Sequence, residues 1–524
     1  MRDDREYLDK KLKEYGESDV YPFHMPGHKR QDMEMGHPEQ MDITEVDGFD
    51  NLHHAEGIIA RAQQQMAKVF GADKSFFLVN GSTAGLLAAI CAAVRKRGKI
   101  LIARNCHKAV YHAIYLRELS VEYVYPMHTQ WGIQGSINPE HIREKLKADD
   151  QIEAVLITSP TYDGVISDIE AISQVVHAHN IPLIVDEAHG AHFGFSDGFP
   201  QKALALGADV VIESMHKTLP AYTQSAALHL KGNRVREEEI QRFLGIFQSS
   251  SPSYLLMAGL ARCTRIMEQQ GPALMKDFEK RLEDFYKKTA DLKYLCVFPM
   301  GKPCVFSCAG DASAENGCAA AGDKGRTADP WKSIYGKDNS KLLIFCQNAN
   351  MSGQKLARIL LESYGLQMEM DSGHYVTALT SLMDTQEGFD RLISALHEID
   401  RAVESEHCAE KHGESSDAMC ETENLSDQSV TGWQQCIQIL YQPKEKRMEI
   451  ATAKECKQET VALAEAAGRV SAEFAYLYPP GIPFLTPGEE IPENLIRKLH
   501  VLTAEGFEIQ GLEDLSGKRI KVAT

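Results

Sequence analysis

The segment Ile181-Pro-Leu-Ile-Val-Asp-Glu-Ala-His-Gly190 decides the fold, because a short apolar run leads directly into an acidic residue and a turn. A near-continuous apolar run of this kind is typical of a strand that is buried on both faces of a parallel sheet. Ligands of such sheets bind outside the carboxyl ends of the strands, which is where Asp186 lies. The segment therefore predicts a buried parallel strand that ends in a functional carboxylate.

Similar apolar runs occur on both sides of this segment and alternate with helical patterns. The predicted strands are Ser75–Val79, Lys99–Ala103, Val121–Tyr125, Ala154–Thr158 and Asp209–Glu213, and the predicted helices are Ser82–Arg95, Lys108–Glu118 and Ile169–His179. This alternation is typical of an α/β fold, in which helices cover both faces of a mostly parallel sheet.

The segment Val79-Asn-Gly-Ser-Thr-Ala-Gly85 lies where a predicted strand ends and a predicted helix begins. Gly81 lets the backbone turn, so that the N–H groups of Ser82, Thr83 and Ala84 point outward from the end of the helix. Together with two hydroxyl groups, they form a site for an anion such as phosphate. A hydroxyl residue that only caps the helix is the more common explanation of such a motif, and the motif alone leaves both open.

Two more strand ends carry groups that point to a cofactor. A buried carboxylate at Asp186 needs a cation, either a nearby Lys or Arg or the protonated nitrogen of a pyridine ring. Lys217 follows another apolar strand; most lysines are solvated, but burial lowers the pKa of an amine and prepares it to react with a carbonyl. A phosphate site, a carboxylate and, 31 residues after that, an amine are the three groups that pyridoxal phosphate requires.

The chain also resembles a known family, the bacterial ornithine/lysine/arginine decarboxylases of the aspartate-aminotransferase fold (fold type I). The resemblance covers almost the whole chain outside two polar stretches. It rests on the motifs His24-Met-Pro-Gly-His-Lys29, Thr44-Glu-Val-Asp-Gly-Phe-Asp50, Asn80-Gly-Ser-Thr-Ala-Gly85, Arg104-Asn-Cys-His-Lys108, Ser159-Pro-Thr-Tyr-Asp-Gly164, Asp186-Glu-Ala-His-Gly-Ala-His192, Ser214-Met-His-Lys-Thr218, Ser249-Ser-Ser-Pro-Ser-Tyr254, Tyr478-Pro-Pro-Gly-Ile-Pro483 and Pro487-Gly-Glu489.

The resemblance implies a role for each matching residue. Lys217 would react with the aldehyde of pyridoxal phosphate, Asp186 would pair with its ring nitrogen, and Lys217 or His216 would return a proton to the substrate. The other implied roles are phosphate binding by Ser82, Thr83, Ala84, Ser214 and His216, stacking on the ring by His107, contact with the ring edge by His189, contact with a neighbouring subunit's phosphate by Ser249 or Ser250, and substrate binding by His28 and Glu489. Tyr162 and Asp163 are expected only to shape a turn.

The function implied by the resemblance is decarboxylation of a basic amino acid by a homodimer or higher homo-oligomer with shared active sites. Arginine, giving agmatine in polyamine biosynthesis, is the preferred substrate, and lysine or ornithine are the alternatives. Another reaction on the same cofactor, such as transamination, and a non-catalytic homologue remain as further alternatives. The motifs do not separate the three amino acids.

Composition excludes several other classes of function. The 524 residues carry a formal net charge of −18, which disfavours binding to nucleic acid. The 12 cysteines include no CxxC pair and no spacing typical of zinc ligands, so we expect reduced thiols and no metal site. The charged N-terminus lacks the apolar core of a signal peptide, and no apolar run is long enough to span a bilayer. A cytoplasmic enzyme is therefore expected.

The length predicts several domains, and composition suggests where they divide. The expected units are an N-terminal arm with helices (1–70), a large cofactor-binding domain (71–285), a smaller α+β domain (286–402) with a flexible insertion (309–340), an acidic linker (403–431) and a C-terminal domain (432–524).

Overall fold

The computed structural model describes residues 8–32, 36–129, 131–298, 331–413, 439–477, 482–504 and 508–524. Its α-helices are α1 (Leu8–Glu17), α2 (Pro38–Met41), α3 (Ile58–Phe70), α4 (Gly81–Ala93), α5 (Lys108–Arg117), α6 (Pro139–Ala148), α7 (Ile169–His177), α8 (Met215–Thr218), α9 (Glu237–Phe247), α10 (Tyr254–Lys288), α11 (Gly353–Tyr364), α12 (Gln386–Gly413), α13 (Ile450–Glu455) and α14 (Glu493–Ala504).

The strands form one large sheet and several small ones. They are β1 (Tyr21–Phe23), β2 (Lys74–Leu78), β3 (Lys99–Ala103), β4 (Ser120–Val124), β5 (Ile152–Thr158), β6 (Val165–Ile166), β7 (Leu183–Asp186), β8 (Val210–Glu213), β9 (Ala226–Leu230), β10 (Cys296–Val297), β11 (Gly336–Lys337), β12 (Lys341–Phe345), β13 (Leu366–Met368), β14 (Met370–Asp371), β15 (Tyr375–Leu379), β16 (Gln458–Ala462), β17 (Ala475–Leu477), β18 (Ile482–Leu485), β19 (Ile509–Gln510) and β20 (Arg519–Ala523).

The central sheet has seven strands in the order β2-β9-β8-β7-β5-β3-β4. The pairs from β8 to β4 are parallel, whereas β9 runs antiparallel to both of its neighbours. Strands β7, β8 and β9 are buried along their whole length, because helices pack on both faces of the sheet. The predicted α/β architecture and the strands and helices on which it rested are confirmed. The sequence reasoning missed β9, whose reversal brings the ends of β2 and β8 to the same side of the molecule.

A second unit packs beside the central sheet and takes in the N-terminal arm. Its antiparallel sheet has the order β10-β12-β15-β14, and β1 of the arm pairs in parallel with β13. Phe23 of the arm is fully buried in the same apolar cluster as α10 and Phe389 of α12. The arm is therefore built into the smaller unit.

Both of the predicted flexible stretches include residues that the structure places in regular elements. Most of the predicted insertion at 309–340 lies outside the described residues, but its last part forms β11, and Asp338 is completely buried. The predicted linker at 403–431 begins too early, because α12 continues to residue 413. Val403 is buried and Glu404 pairs with Lys293 at 2.5 Å, so these residues extend an amphipathic helix.

The C-terminal unit has its own apolar core, which is formed by α14 and by the strands after residue 457. Its small sheets have the orders β16-β20 and β18-β17-β19. In the ranges described above, none of the helices combines the length and the apolar character needed to cross a lipid bilayer.

Candidate active site

A cavity of about 390 Å³ opens at the carboxyl ends of β5, β7 and β8. The predicted site residues that line it are Ser82, Thr83, His107, Asp186, His189, Ser214, His216 and Lys217. These residues come from four separate segments of the chain. The fold therefore brings the three predicted chemical groups, the anion site, the carboxylate and the amine, into one cavity.

The anion site lies at the N-terminus of α4. Gly81 takes the left-handed conformation (φ 71°), and the side chain of Asn80 makes no capping hydrogen bond to the helix. The hydroxyl groups of Ser82 and Ser214 are 2.5 Å apart, so the ends of β2 and β8 meet here. Outward-pointing amides, hydroxyl groups and the positive end of a 13-residue helix suit a phosphate group.

His216 borders the same site and has one nitrogen already engaged. Its Nδ1 donates to the carbonyl oxygen of Ser225 at 2.9 Å, and burial lowers the pKa of the ring to about 4. In the neutral ring, Nε2 is therefore an acceptor. It could donate to a phosphate only after taking up a proton, which a nearby dianion would favour.

Lys217 lines the cavity and contacts a histidine. Its Nζ is 2.9 Å from Nε2 of His189, and the ring of Tyr162 packs edge-on against His189 at 5.0 Å. Burial lowers the pKa of Lys217, although Asp186 and Glu369 oppose that effect. Burial likewise lowers the pKa of His189, and its buried Nδ1 has no hydrogen-bond partner among the described residues. The site thus favours an uncharged, nucleophilic lysine.

Asp186 is a buried carboxylate with no cationic partner among the described residues. It is 3% exposed, and its Oδ1 accepts a hydrogen bond from the Ala188 amide at 3.2 Å. Within the described ranges, no Lys or Arg nitrogen comes within salt-bridge distance of it. Burial raises the pKa of the carboxyl, and the charge of Lys217 opposes this effect. A cation placed in the cavity beside Asp186 would relieve the cost of burial.

His107 provides a flat, neutral ring. Its Nδ1 accepts a hydrogen bond from the Ala109 amide at 3.2 Å and so caps α5. Burial lowers the pKa of His107 to about 3, and the charge of Lys217 adds to that effect. A ring held in this way by a helix end is suited to stack on an aromatic ligand.

These groups together fit pyridoxal phosphate. The anion site matches a phosphate, the unpaired Asp186 matches a protonated pyridine nitrogen, and the Lys217 amine matches an aldehyde. The unpartnered Nδ1 of His189 provides one more polar contact that a ligand could satisfy.

Sequence reasoning missed a second carboxylate in the cavity, Glu369. Its Oε1 accepts from the Tyr162 hydroxyl at 2.7 Å, and its Oε2 accepts from the Met25 amide at 2.8 Å. Tyr162 therefore does more than shape a turn, because it orients an acidic group in the cavity. No local pattern marked Glu369, which comes from the smaller unit between β13 and β14.

Glu489 does not lie in the cavity, so its prediction as the contact for the substrate's cation is wrong. It is 1% exposed, its Oε2 is 3.0 Å from Nη2 of Arg104, and it accepts the Thr486 amide at 2.8 Å. Arg104 follows β3 and is itself buried. Glu489 is therefore the partner of an internal cation and joins the C-terminal unit to the central sheet.

Glu489→Gln is expected to lower the free energy of unfolding by roughly 3–5 kcal/mol, because it leaves a buried guanidinium without its counter-ion. Chemical denaturation of both proteins measures the difference. Glu490→Gln is the matched control, since Glu490 pairs with the half-exposed Arg447 and should contribute less than about 1 kcal/mol. Equal stability of the Glu489 variant and the wild type would contradict the structural role.

Four other predicted residues do not line the cavity: Ala84, which is 2% exposed and directly follows Thr83 in α4, and His28, Ser249 and Ser250. His28 is half-buried with its ring 6.4 Å from that of Tyr222, whereas Met25 of the same motif does line the cavity. Ser249 and Ser250 are exposed, and the Ser249 amide donates to Oδ1 of Asn80 at 3.4 Å, beside the anion site of its own chain. Their contact with a neighbouring subunit stays a prediction.

Comparison with known proteins gives consistent matches along the chain. The family model of the Orn/Lys/Arg decarboxylase major domain matches residues 7–309, and that of the C-terminal domain of the same family matches residues 430–519. An arginine decarboxylase of Bacillus subtilis is 29% identical over 98% of this chain and 96% of that protein. An uncharacterized protein of the same organism is 32% identical over 98% of both chains. The constitutive lysine decarboxylase of Escherichia coli has the same fold, with a TM-score of 0.73 at 22% identity over 98% of this chain and 81% of that one.

Proposed function

The chain belongs to the Orn/Lys/Arg decarboxylase family, and from this premise we propose that it converts arginine to agmatine with release of CO2. Membership makes the protein a decarboxylase of basic amino acids, a class of enzyme that uses pyridoxal phosphate. The observation that carries the proposal is the single cavity that holds the anion site of α4, Asp186 and Lys217. Lysine and ornithine remain the alternative substrates.

Each of the proposed site residues would have a separate role in such a reaction. Ser82, Thr83, Ala84 and Ser214 would hold the phosphate, and His107 would stack on the ring. When bound, pyridoxal phosphate accepts the electron pair that remains at Cα as CO2 departs. The negative charge of Asp186 would keep the proton on the ring nitrogen, which makes this electron transfer favourable.

A proton must then reach Cα of the product. Lys217 is the first candidate donor, because it lines the cavity and His189 is within 2.9 Å to exchange a proton with it. His216 is the second, with Nε2 free to carry a proton while Nδ1 stays bound to Ser225.

Glu369 is the residue that we assign to the distal cation of the substrate, in place of Glu489. It brings a carboxylate to the cavity from the side of the smaller unit, and the donors Tyr162 and Met25 fix its orientation. A carboxylate can pair with a guanidinium or an ammonium group. We favour arginine because the relative named arginine decarboxylase matches over the full length of the chain.

Glu369→Gln is expected to raise the KM for arginine by roughly 10- to 100-fold with a smaller change in kcat, because a charged hydrogen bond contributes about 1.5–3 kcal/mol. Steady-state CO2 release measures both constants. Glu362→Gln, on the exposed face of α11, is the control and should leave both unchanged. An unchanged KM in the Glu369 variant would remove it from the substrate site.

The decisive experiment is a CO2-release assay with arginine, lysine and ornithine side by side. Agmatine should appear in the arginine reaction in amounts equal to the CO2. Faster turnover of lysine or ornithine would change the substrate assignment, and formation of a keto acid without CO2 would indicate transamination. Turnover of none of the three would leave a non-catalytic homologue.

We also propose that the protein works as a homodimer in the cytoplasm and supplies agmatine to polyamine synthesis. Ser249 and Ser250 support a shared site, because they are exposed hydroxyl residues beside the phosphate-binding end of α4.

A further inference from the structure

A second set of buried charged groups lies beneath the cavity, at the same strand ends. Glu187 directly follows Asp186 at the end of β7, and Glu213 directly precedes Ser214 at the end of β8. Successive side chains of a strand point to opposite faces. Both glutamates accordingly lie outside the cavity lining, and they are 2% and 0% exposed.

Glu213 has two basic neighbours in this cluster. Its Oε1 is 3.5 Å from Nζ of Lys202, and its Oε2 is 3.5 Å from Nε2 of His229. His229 in turn contacts the Ser75 hydroxyl through Nδ1 at 2.7 Å, and Nζ of Lys202 lies 4.1 Å from the ring centre of Phe70. One lysine, with a histidine beside it, therefore compensates the charge at Glu213.

Glu187 has no cation of its own within the cluster. Its Oε1 accepts from the Ala203 amide at 3.1 Å, while its Oε2, like Oε2 of Glu213, has no donor among the described residues. The two glutamates continue the parallel pairing of Asp186 with Ile212, so their side chains are neighbours at adjacent strand ends. Two adjacent buried carboxylates cannot both be ionised without a large cost, and a proton between them removes that cost.

The electrostatics of the surrounding groups assign that proton. Burial and the charge of Glu213 raise the pKa of Glu187 well above its ordinary value of 4.5. Burial alone would raise the pKa of Glu213 as well, but Lys202, His229 and the contact with Glu187 lower it. Cys263, which faces the cluster from α10, has its thiol pKa raised by burial and by Glu213, and so adds no charge.

We propose that Glu187 is protonated and donates to the Glu213 carboxylate, and that this carboxyl pair is a positioning device which fixes the ends of β7 and β8. The Glu187 amide also donates to the Ile212 carbonyl at 3.0 Å, so the pair reinforces a backbone link between the two strands. Because Asp186 and Ser214 are the adjacent residues, the pair sets their spacing. The functional consequence of this pair rests on the proposed cofactor site, whereas the existence of the shared proton is independent of it.

Glu187→Gln tests the shared proton, because the amide N–H can replace the acid O–H. We expect the holoenzyme variant to bind pyridoxal phosphate within about threefold of the wild-type Kd. Its infrared spectrum should lack a carbonyl band of a protonated carboxylic acid that the wild type shows near neutral pH. The proposal is overturned if the wild-type spectrum lacks this band or if the spectrum of the variant still shows it. Either result is independent of catalytic activity, so it is distinguishable from failure of the proposed function.

The pH dependence of stability gives a second readout with a definite sign. A group whose pKa is raised on folding stabilises less as pH rises above its unfolded value, here 4.5. The melting temperature of the wild type should therefore fall relative to that of Glu187→Gln as pH increases from 5 to 9. A constant difference over this range would mean that Glu187 does not hold the proton.

Glu213→Gln should have a much larger effect than Glu187→Gln. Among the described residues of the cluster, Glu213 is the only carboxylate that pairs with Lys202. We expect at least tenfold weaker binding of pyridoxal phosphate and a lower melting temperature. Glu283→Gln on the exposed side of α10 is the control and should change neither. Tight cofactor binding by a stably folded Glu213→Gln variant, with loss of binding in Glu187→Gln, would reverse the assignment. If Glu213→Gln fails to fold, the infrared band and the pH series on Glu187→Gln still decide.

Discussion

Lys217→Ala is expected to reduce CO2 release from arginine by at least about 10³-fold. The variant loses the amine that we propose reacts with the cofactor's aldehyde and the first candidate for the proton donor, and each role contributes orders of magnitude to rate. Borohydride reduction followed by mass spectrometry should attach the cofactor covalently to the wild type and not to the variant.

Lys68→Ala is the matched control for this prediction, because the side chain of Lys68 is 81% exposed on α3 and lies outside the cavity lining. It should keep wild-type activity and covalent labelling. Equal activity of Lys217→Ala and the wild type would contradict the assignment of the catalytic amine. Labelling of the variant at another lysine would place the amine elsewhere.

Asp186→Asn is expected to lower kcat by roughly 10²- to 10⁴-fold and to weaken cofactor binding. The amide keeps the volume of the side chain but has no charge to hold a proton on the ring nitrogen, so the stabilisation of the electron-accepting state is lost. Absorption spectra and Kd of the bound cofactor, together with kcat, measure the effect.

A pH series adds a signed test for Asp186. Burial raises the pKa of this carboxyl in the chain without ligand, so cofactor binding by the wild type should weaken as pH falls toward that value, where the carboxyl takes up a proton. Asp186→Asn should lack this dependence. Asp371→Asn, an exposed carboxyl of the smaller unit, is the control. Wild-type kcat in Asp186→Asn would exclude the carboxylate from the reaction.

The parts of the site that the sequence predicts are those set by local pattern. Asp186, Ser214 and Lys217 each lie at the end of an apolar run, and a buried parallel strand necessarily brings its carboxyl end to the ligand-binding edge. The Gly81 turn is equally local. For these residues, the type of side chain and its position in the strand–helix alternation were sufficient.

The remaining features depend on contacts between residues far apart in the chain. Glu369 enters the cavity only because the smaller unit packs against the central sheet, and Glu489 is removed from it by Arg104, 385 residues away. The helical residues after 402 were misread because their acidic composition masks the apolar positions that α12 buries. The hydrophobic periodicity of a sequence identifies single helices and strands, but it does not show which of them pack against each other.

The Arg104–Glu489 pair has a consequence for how such a gene can change by recombination. Arg104 also donates to the Pro483 carbonyl at 2.5 Å, so this one side chain at the end of β3 binds two residues of the C-terminal unit. A chimera that joins the first 413 residues to the C-terminal unit of a relative keeps only half of this charge pair unless that unit has a carboxylate of its own at the position of Glu489. The two segments can be exchanged freely only between parents that share both halves, which makes the linker a poor crossover point despite its position between compact units.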